Sequence, residues 1–216
     1  MKKIFVTLCL VTFLSNSTFA QKIRVGFNGG LTYSGFRGNP QIKSLDAGFD
    51  FLAGITFEYQ LKDKLSLVTG INYERKSASE KLYTEIIENP EDPGFAGDVK
   101  ICLRNQFITV PVYVKYDFGT NDSFYLNGGA FISYILKSEL SNDYDDTKLD
   151  QTDALKSIDF GLVFGLGKTF KLKNSNEITL EIRENLGLAN ITKNSNDGDI
   201  RTNSINLICG YSFDFK

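Results

Sequence analysis

Charged residues recur at alternate positions along several segments of this chain, and Glu181 and Arg183 are one such pair. A carboxylate beside a guanidinium group could take part in general acid–base chemistry. The same residues could instead form a structural network of ion pairs, because the interior of a small β-barrel must be filled by side chains. The structural interpretation is favoured, so neither residue is assigned a catalytic role.

The absence of histidine from the sequence narrows the chemistry further. It excludes the usual Ser-His-Asp and Cys-His nucleophile arrangements and any histidine-ligated metal site. We therefore predict that the chain is not an enzyme, with no catalytic, cofactor-binding or metal-binding residues and no cofactor.

Two acid-rich segments and two cysteines are candidates for binding or redox sites. Residues 142–146 with Asp150 could hold calcium, but their spacing does not match an EF-hand loop, and a solvated loop is favoured. Residues 194–199 are typical of a turn. Cys102 and Cys209 have no CxxC spacing, although an oxidising compartment would permit a disulfide. Cys209 is expected on an apolar, lipid-facing side.

The first 20 residues have the layout of a secretory signal peptide. Lys2 and Lys3 precede an uncharged apolar run, and Thr18-Phe19-Ala20 places small residues before a predicted cleavage site at Gln21. The run is shorter than the roughly 20 apolar residues of a membrane-spanning helix. Removing two lysines leaves 22 basic residues against 26 acidic ones, so nucleic acid is not expected as a partner. Residues 21–216 are predicted to form one domain.

Alternation of apolar and polar residues with a period of two dominates the rest of the chain. It predicts eight strands, each about long enough to cross a bilayer when tilted. The predicted strands span residues 22–33, 48–60, 64–75, 105–118, 123–137, 158–167, 176–188 and 204–215.

The two faces of these strands indicate which side points into the barrel. One face is large and aromatic in nearly every strand, whereas the other combines glycine with charge. A soluble barrel would place the apolar face inside, but here the charged face is predicted to line the lumen. Its members are Arg24, Asp50, Glu58, Glu74, Lys115, Asp117, Asp159, Glu181, Arg183 and Asp214.

The predicted connections alternate between short and long. Residues 60–63, 119–122 and 171–175 are tight turns, whereas residues 34–47, 76–104, 138–156 and 189–201 are predicted to be long polar loops. Short turns at one end and long loops at the other are typical of outer-membrane barrels. With both termini at the end with the short turns, the long loops are expected outside the cell.

Four segments carry a family resemblance: Val25–Leu31, Phe107–Tyr116, Tyr125–Ala130 and Phe160–Gly167. They resemble the PorT-like outer-membrane β-barrel family of Bacteroidota. Gly210–Phe215 is similar to the terminal signal read by the barrel-assembly machinery, although Lys216 follows the last aromatic residue. Some relatives are implicated in protein secretion or gliding, but no residue transfers that role. Pro111, within one of these motifs, predicts a local distortion of the fourth strand.

These observations predict an all-β fold, an eight-stranded antiparallel up-and-down transmembrane β-barrel in the outer membrane of a Gram-negative cell. The leading functional hypothesis is a non-enzymatic barrel, structural or binding through its long extracellular loops. A narrow porin-like channel and a soluble periplasmic lipocalin-like ligand-binding barrel are the alternatives. The expected partners are outer-membrane lipid, the barrel-assembly machinery and an extracellular or secretion-system protein.

Overall fold

The computed structural model describes residues 22–86, 95–119, 123–144, 147–194 and 198–215. The predicted signal peptide lies outside these ranges. Within them the strands are β1 (Ile23–Gly38), β2 (Asp46–Lys62), β3 (Leu65–Ile86), β4 (Phe95–Phe118), β5 (Ser123–Asn142), β6 (Lys148–Asp150), β7 (Ile158–Lys171), β8 (Glu177–Gly187) and β9 (Ile200–Phe215). A short helix, α1 (Pro40–Lys43), precedes β2, and a 3₁₀ turn (Thr152–Ala154) follows β6. No helix in the described part of the chain has the length and hydropathy needed to span a membrane.

Eight strands close into a ring, each antiparallel to both of its neighbours. The strands follow chain order around the ring, and β9 pairs with β1 from Ile23↔Phe215 to Gly38↔Ile200. β6 lies outside the ring and pairs with the last residues of β5. The predicted eight-stranded antiparallel up-and-down barrel is therefore confirmed.

Alternate residues of each strand point into and out of the ring, as the sequence pattern predicts. On β9, Asn206 is fully buried while Leu207 is exposed. On β7, Val163 is fully buried while Phe164 and Leu166 are exposed. Large apolar side chains therefore cover the outside of the barrel, and most polar ones fill the lumen.

The connections between strands differ in length at the two ends of the barrel. At the terminal end, where Ile23 and Phe215 pair, only residues 63–64 separate β2 from β3, and residues 172–176 separate β7 from β8. At the opposite end, here called the hairpin end, β3 and β4 pair continuously as far as Ile86 and Phe95. The predicted tight turns at the terminal end are therefore confirmed for these two connections.

The prediction that residues 76–104 form a polar loop is wrong. Residues 76–86 continue β3 and residues 95–104 continue β4, so most of this segment is a β-hairpin. Similarly, β1 extends to Gly38, β2 begins at Asp46, and β5 extends to Asn142. These extensions were missed because neither face needs to be apolar beyond the lipid, so the period-two signal fades there.

Pro111 interrupts the ladder between β3 and β4 without changing its register. The pairs Thr69↔Val112 and Asn72↔Thr109 flank a gap in the ladder at Pro111 and keep the same register. The Thr69 hydroxyl donates a hydrogen bond to the Pro111 carbonyl at 2.9 Å. The register shift in β4 lies elsewhere, between Gln106 and Phe107 on the β5 side. The predicted distortion is therefore a break in backbone pairing rather than a bulge at the proline.

Candidate functional site

The lumen at the terminal end is a polar cavity bordered by ion pairs. Arg24 contacts Glu177 at 2.5 Å and Asp214 at 2.7 Å. Lys115 contacts Glu58 at 3.1 Å. The cavity has a volume of about 310 Å³, and Lys64 and Gly119 from the turns at this end also line it. The walls of this cavity are therefore lined by paired charges.

The middle of the lumen is closed by one hydrogen-bonded cluster around Glu181 and Arg183. The Glu181 carboxylate pairs with Arg183 Nε at 2.5 Å and accepts hydrogen bonds from Tyr125 Oη at 2.8 Å and Asn127 Nδ2 at 2.9 Å. Arg183 Nη2 donates to Tyr113 Oη at 2.8 Å. Each charge thus has partners within the cluster, which offsets the cost of removing it from water.

Two glycines of β7 make room for this central cluster. A Cβ atom on Gly165 would lie 2.6 Å from Asn127 Oδ1, and one on Gly167 would overlap the ring of Tyr125. These two glycines are therefore a packing requirement of the charged interior.

A second polar layer lies between the central cluster and the hairpin end, and it contains Glu74, Lys76 and Asp159. Lys76 is completely buried, with its Nζ atom 3.8 Å from Glu74 Oε1 and 3.4 Å from Thr202 Oγ1. Thr202 donates in turn to Asp159 Oδ2 at 2.7 Å. Glu74 also accepts a hydrogen bond from Ser204 at 2.9 Å.

The lumen is capped at the hairpin end by the segment that follows β8. Ile191 from this segment is completely buried and packs with Phe107 and Ile135. Backbone hydrogen bonds hold it in place, since Lys156 N donates to Ile191 O at 2.7 Å and Lys193 N donates to Ala154 O at 3.0 Å. The prediction that residues 189–201 form a long polar loop is therefore wrong for Ile191, which is buried. The described side chains close the lumen at two levels.

A four-stranded sheet rises beyond this cap at the hairpin end, and we call it the outer sheet. It consists of residues 80–86 of β3, 95–104 of β4, 138–142 of β5, and β6. The register aligns Leu103, Leu140 and Leu149 on one of its faces. Asp150 belongs to this sheet, and hydrogen bonds from Thr152 lower the pKa of its carboxyl group.

The lumen contains most of the charges assigned to it from sequence. Glu74, Lys115, Asp159, Glu181 and Arg183 are buried there. Asp50 does not join these clusters, because its carboxylate pairs with Arg75 and Arg104 near a register shift in β2.

Sequence reasoning missed several residues of the lumen, among them Lys76, Glu177 and Ile191. Lys76 follows Glu74 with the same strand parity, and Glu177 shares parity with Glu181. Continuing the alternation to these positions would have identified both. Ile191 carries no comparable signal, because the cap is not a strand.

The segments considered for metal or redox chemistry have structural contacts. Asp143 Oδ1 accepts a hydrogen bond from Lys100 N at 2.7 Å, whereas residues 145–146 and 195–197 lie outside the described ranges. Among the described residues, no cluster of three or more His, Cys, Asp or Glu side chains could hold a metal ion. Both Cys102 and Cys209 are free thiols, and Cys209 is exposed on the outer face as predicted.

The outer surface contradicts the lipocalin-like alternative. That alternative requires the apolar faces to point inward, but Phe27, Phe49, Phe164 and Ile182 are among many large apolar side chains exposed on the outside. Such a continuous apolar surface is expected against lipid rather than water.

Comparison with known proteins agrees with this geometry. The model of the family described as "Outer membrane protein beta-barrel domain" matches residues 19–193. The structure is similar to that of Neisserial surface protein A (NspA), with 15% identity, a TM-score of 0.50, and coverage of 89% of this chain and 97% of that one. It is also similar to a major outer membrane protein from Thermus thermophilus, with 11% identity, a TM-score of 0.51, and coverage of 91% and 100%. No curated protein sequence matches this chain.

Proposed function

The chain belongs to the outer membrane protein beta-barrel domain family, and we propose that it binds a macromolecular partner outside the cell through its outer sheet. As an outer-membrane barrel it has its short turns in the periplasm and its hairpin end outside the cell. The observation that carries the proposal is an asymmetry along the barrel axis. The lumen is closed at two levels, whereas the outer sheet extends beyond the cap.

The surface of the outer sheet suits a protein partner. Tyr83 is 67% exposed, and Leu82 and Leu149 are also exposed, although the sheet lies beyond the lipid. Exposed aromatic and aliphatic side chains outside the membrane are characteristic of interaction surfaces. The described part of β3 pairs with β2 no further than Ser79, so residues 80–86 offer an open edge for an added strand.

Site-specific photo-crosslinking in living cells tests this proposal. A photoreactive amino acid at Tyr83 should give a discrete protein adduct, because this side chain projects from the outer sheet. Phe164, which is 49% exposed but faces lipid, is the matched control and should give none. Absence of a protein adduct from Tyr83, Leu82 and Leu149 alike would contradict the proposal.

Shortening the hairpin tests whether binding is separable from assembly. Leu82 and Val99 are paired, so Asn-Gly can replace residues 83–98 as a two-residue turn. The shortened barrel should still reach the outer membrane and migrate faster on gels when unboiled. The adduct from Leu149 should disappear or weaken; an unchanged adduct would place the contact elsewhere, and loss of assembly would argue against a separable function.

A narrow channel is the second candidate, favoured by the periplasmic cavity of about 310 Å³. The Glu181–Arg183 cluster and the Ile191 cap argue against a channel, because both block the barrel axis. Planar-bilayer recording of the purified barrel distinguishes the two functions. We expect no discrete conductance steps, and reproducible single-channel steps would support the channel instead.

The proposal also covers how the chain reaches the outer membrane and which branch of the family it belongs to. We infer export by the signal peptide of residues 1–20 and recognition of Gly210–Phe215 by the barrel-assembly machinery. The support for the second step is that β9 closes the ring against β1 and exposes Tyr211 and Phe215 outward. The motifs of β1 and β4 favour the PorT-like branch. Deleting residues 210–216 should leave the chain unfolded in the periplasm, whereas deleting Lys216 alone should not.

A further inference from the structure

We propose that Arg75 and Arg104 form a binding site for the phosphate group of an outer-leaflet lipid. Arg75 lies on the same face of β3 as Tyr73 and Ile71. Arg104 lies on the same face of β4 as Val112 and Tyr116. Those neighbours face the lipid. Arg75 follows the apolar stretch of β3 and Arg104 precedes that of β4, so both lie at its extracellular end. They therefore lie where lipid head groups begin.

One buried carboxylate holds the two guanidinium groups together. Asp50 Oδ1 lies 3.0 Å from Arg75 Nε, and Asp50 Oδ2 lies 3.4 Å from Arg104 Nε. The Asp50 side chain is only 5% exposed, whereas those of Arg75 and Arg104 are 25% and 37% exposed. The anion is thus enclosed and the cations reach the surface.

The site holds more cations than carboxylates, because within the described ranges Arg75, Arg104 and Lys137 face only Asp50 and Glu139. Asp50 contacts both arginines, and Glu139 contacts Lys137 at 2.8 Å and is the cross-strand neighbour of Arg104. Glu139 also accepts a hydrogen bond from Gln106, which ties it to the same face. The site therefore attracts an anion, although the whole chain carries a formal charge of −2.

The donors of the site match a phosphate group. Both arginines contact Asp50 as ion pairs, and among the described residues neither guanidinium donates a well-aligned hydrogen bond to a protein acceptor. A guanidinium group has five N–H donors in a planar fork, which suits phosphate oxygens. The Arg75 guanidinium carbon also lies 5.1 Å from the Phe51 ring centroid, which limits its movement.

The adjoining surface indicates that the phosphate comes from a lipid rather than from solution. Phe51 and Tyr73 pack against each other, with ring centroids 5.9 Å apart, directly beside Arg75. Phe51 is exposed on the apolar side, where an acyl chain would contact it while the head group meets the arginines. A free phosphate ion would gain nothing from these rings.

Native mass spectrometry of the full refolded barrel in detergent tests the site, with lipid A as the probe. Arg104→Gln removes the excess cation but leaves the Asp50–Arg75 pair intact. We expect it to weaken binding of bisphosphorylated lipid A at least about tenfold, because charge-assisted hydrogen bonds are lost. The matched control is Arg201→Gln, an exposed arginine at the same end whose partner Asp199 lies 2.8 Å away. Its binding should equal that of the unmodified protein.

Three further measurements make the test decisive. Fully dephosphorylated lipid A should bind as weakly to the unmodified protein as intact lipid A binds to Arg104→Gln. Inorganic phosphate at millimolar concentration should not displace the lipid; displacement would overturn the lipid source. Equal binding by Arg104→Gln and Arg201→Gln would overturn the site. If Arg104→Gln loses the fast-migrating folded band, Arg104→Lys replaces it and should show intermediate affinity, whereas unchanged affinity would count against a guanidinium–phosphate contact.

Discussion

The Lys76 ammonium nitrogen lies 4.9 Å from the centroid of the Phe107 ring, and both side chains are completely buried in the lumen. Its Nζ atom also lies 5.2 Å from the Phe131 ring centroid. Aromatic faces attract a desolvated cation, and Glu74 supplies the opposite charge. Lys76 therefore joins the polar layer of the lumen to the apolar layer beneath the cap.

Lys76→Met should destabilise the barrel by about 3–5 kcal/mol, because it leaves Glu74 and Asp159 buried without their cation. The measurement is urea unfolding of the barrel in lipid vesicles, followed by the fraction of fast-migrating protein on unboiled gels. Lys81→Met is the matched control, since Lys81 is exposed on the same strand, and it should change the free energy of unfolding little. Equal stability of the two variants would contradict a structural role for the buried ammonium group.

Gly167→Ala should destabilise the barrel by about 1–3 kcal/mol, the usual cost of overpacking. The added methyl group would overlap the Tyr125 ring, which the hydrogen bond to Glu181 holds in position. The same unfolding measurement applies. Gly128→Ala is the control, because its Cβ would meet only Phe164 Cδ1 at an ordinary 3.9 Å. Combining Gly167→Ala with Tyr125→Ala should cost less than the sum of the single changes, and simple additivity would contradict the proposed overlap.

The barrel could be predicted from sequence because the two faces of each strand lie in different environments, which select different residue types. Lipid selects Phe164 and Leu207 on one face, while the narrow lumen selects Gly165, Asn206 and paired charges on the other. Beyond the lipid this selection ends. Residues 76–86 carry polar side chains on both faces, with Leu82 and Tyr83 adjacent rather than alternating, so the sequence pattern does not distinguish strand from loop. Their strand structure depends on pairing with β4 along the whole segment.

The partners within the lumen could not be predicted, for a geometric reason. Strand parity places Glu181 and Arg183 inside, but the contact of Arg183 with Tyr113 depends on how eight strands are staggered around the ring. The pairing of Asp50 with Arg75 and Arg104 depends on a register shift between Ala47 and Leu52, which period-two alternation does not reveal.

The mature chain should begin at Gln21, because Thr18-Phe19-Ala20 provides small residues at the positions read during cleavage. Intact-mass spectrometry of protein purified from the outer membrane would detect loss of residues 1–20. Ala20→Leu should block cleavage and leave the larger species, whereas Phe19→Leu should be processed normally. A mature protein that retains Cys9 would contradict the prediction.

Cys102 and Cys209 should differ in reactivity because Cys102 is in contact with water and Cys209 faces lipid. Cys102 is partly exposed in the outer sheet, whereas Cys209 is exposed on the lipid-facing side of β9. The thiolate is the reactive form, and hydrocarbon disfavours its formation. A charged maleimide applied to intact cells should therefore label Cys102 and leave Cys209 unlabelled until the barrel is unfolded. The variants Cys102→Ser and Cys209→Ser assign each label, and equally rapid labelling of Cys209 in intact cells would show that this face of β9 is not covered by lipid.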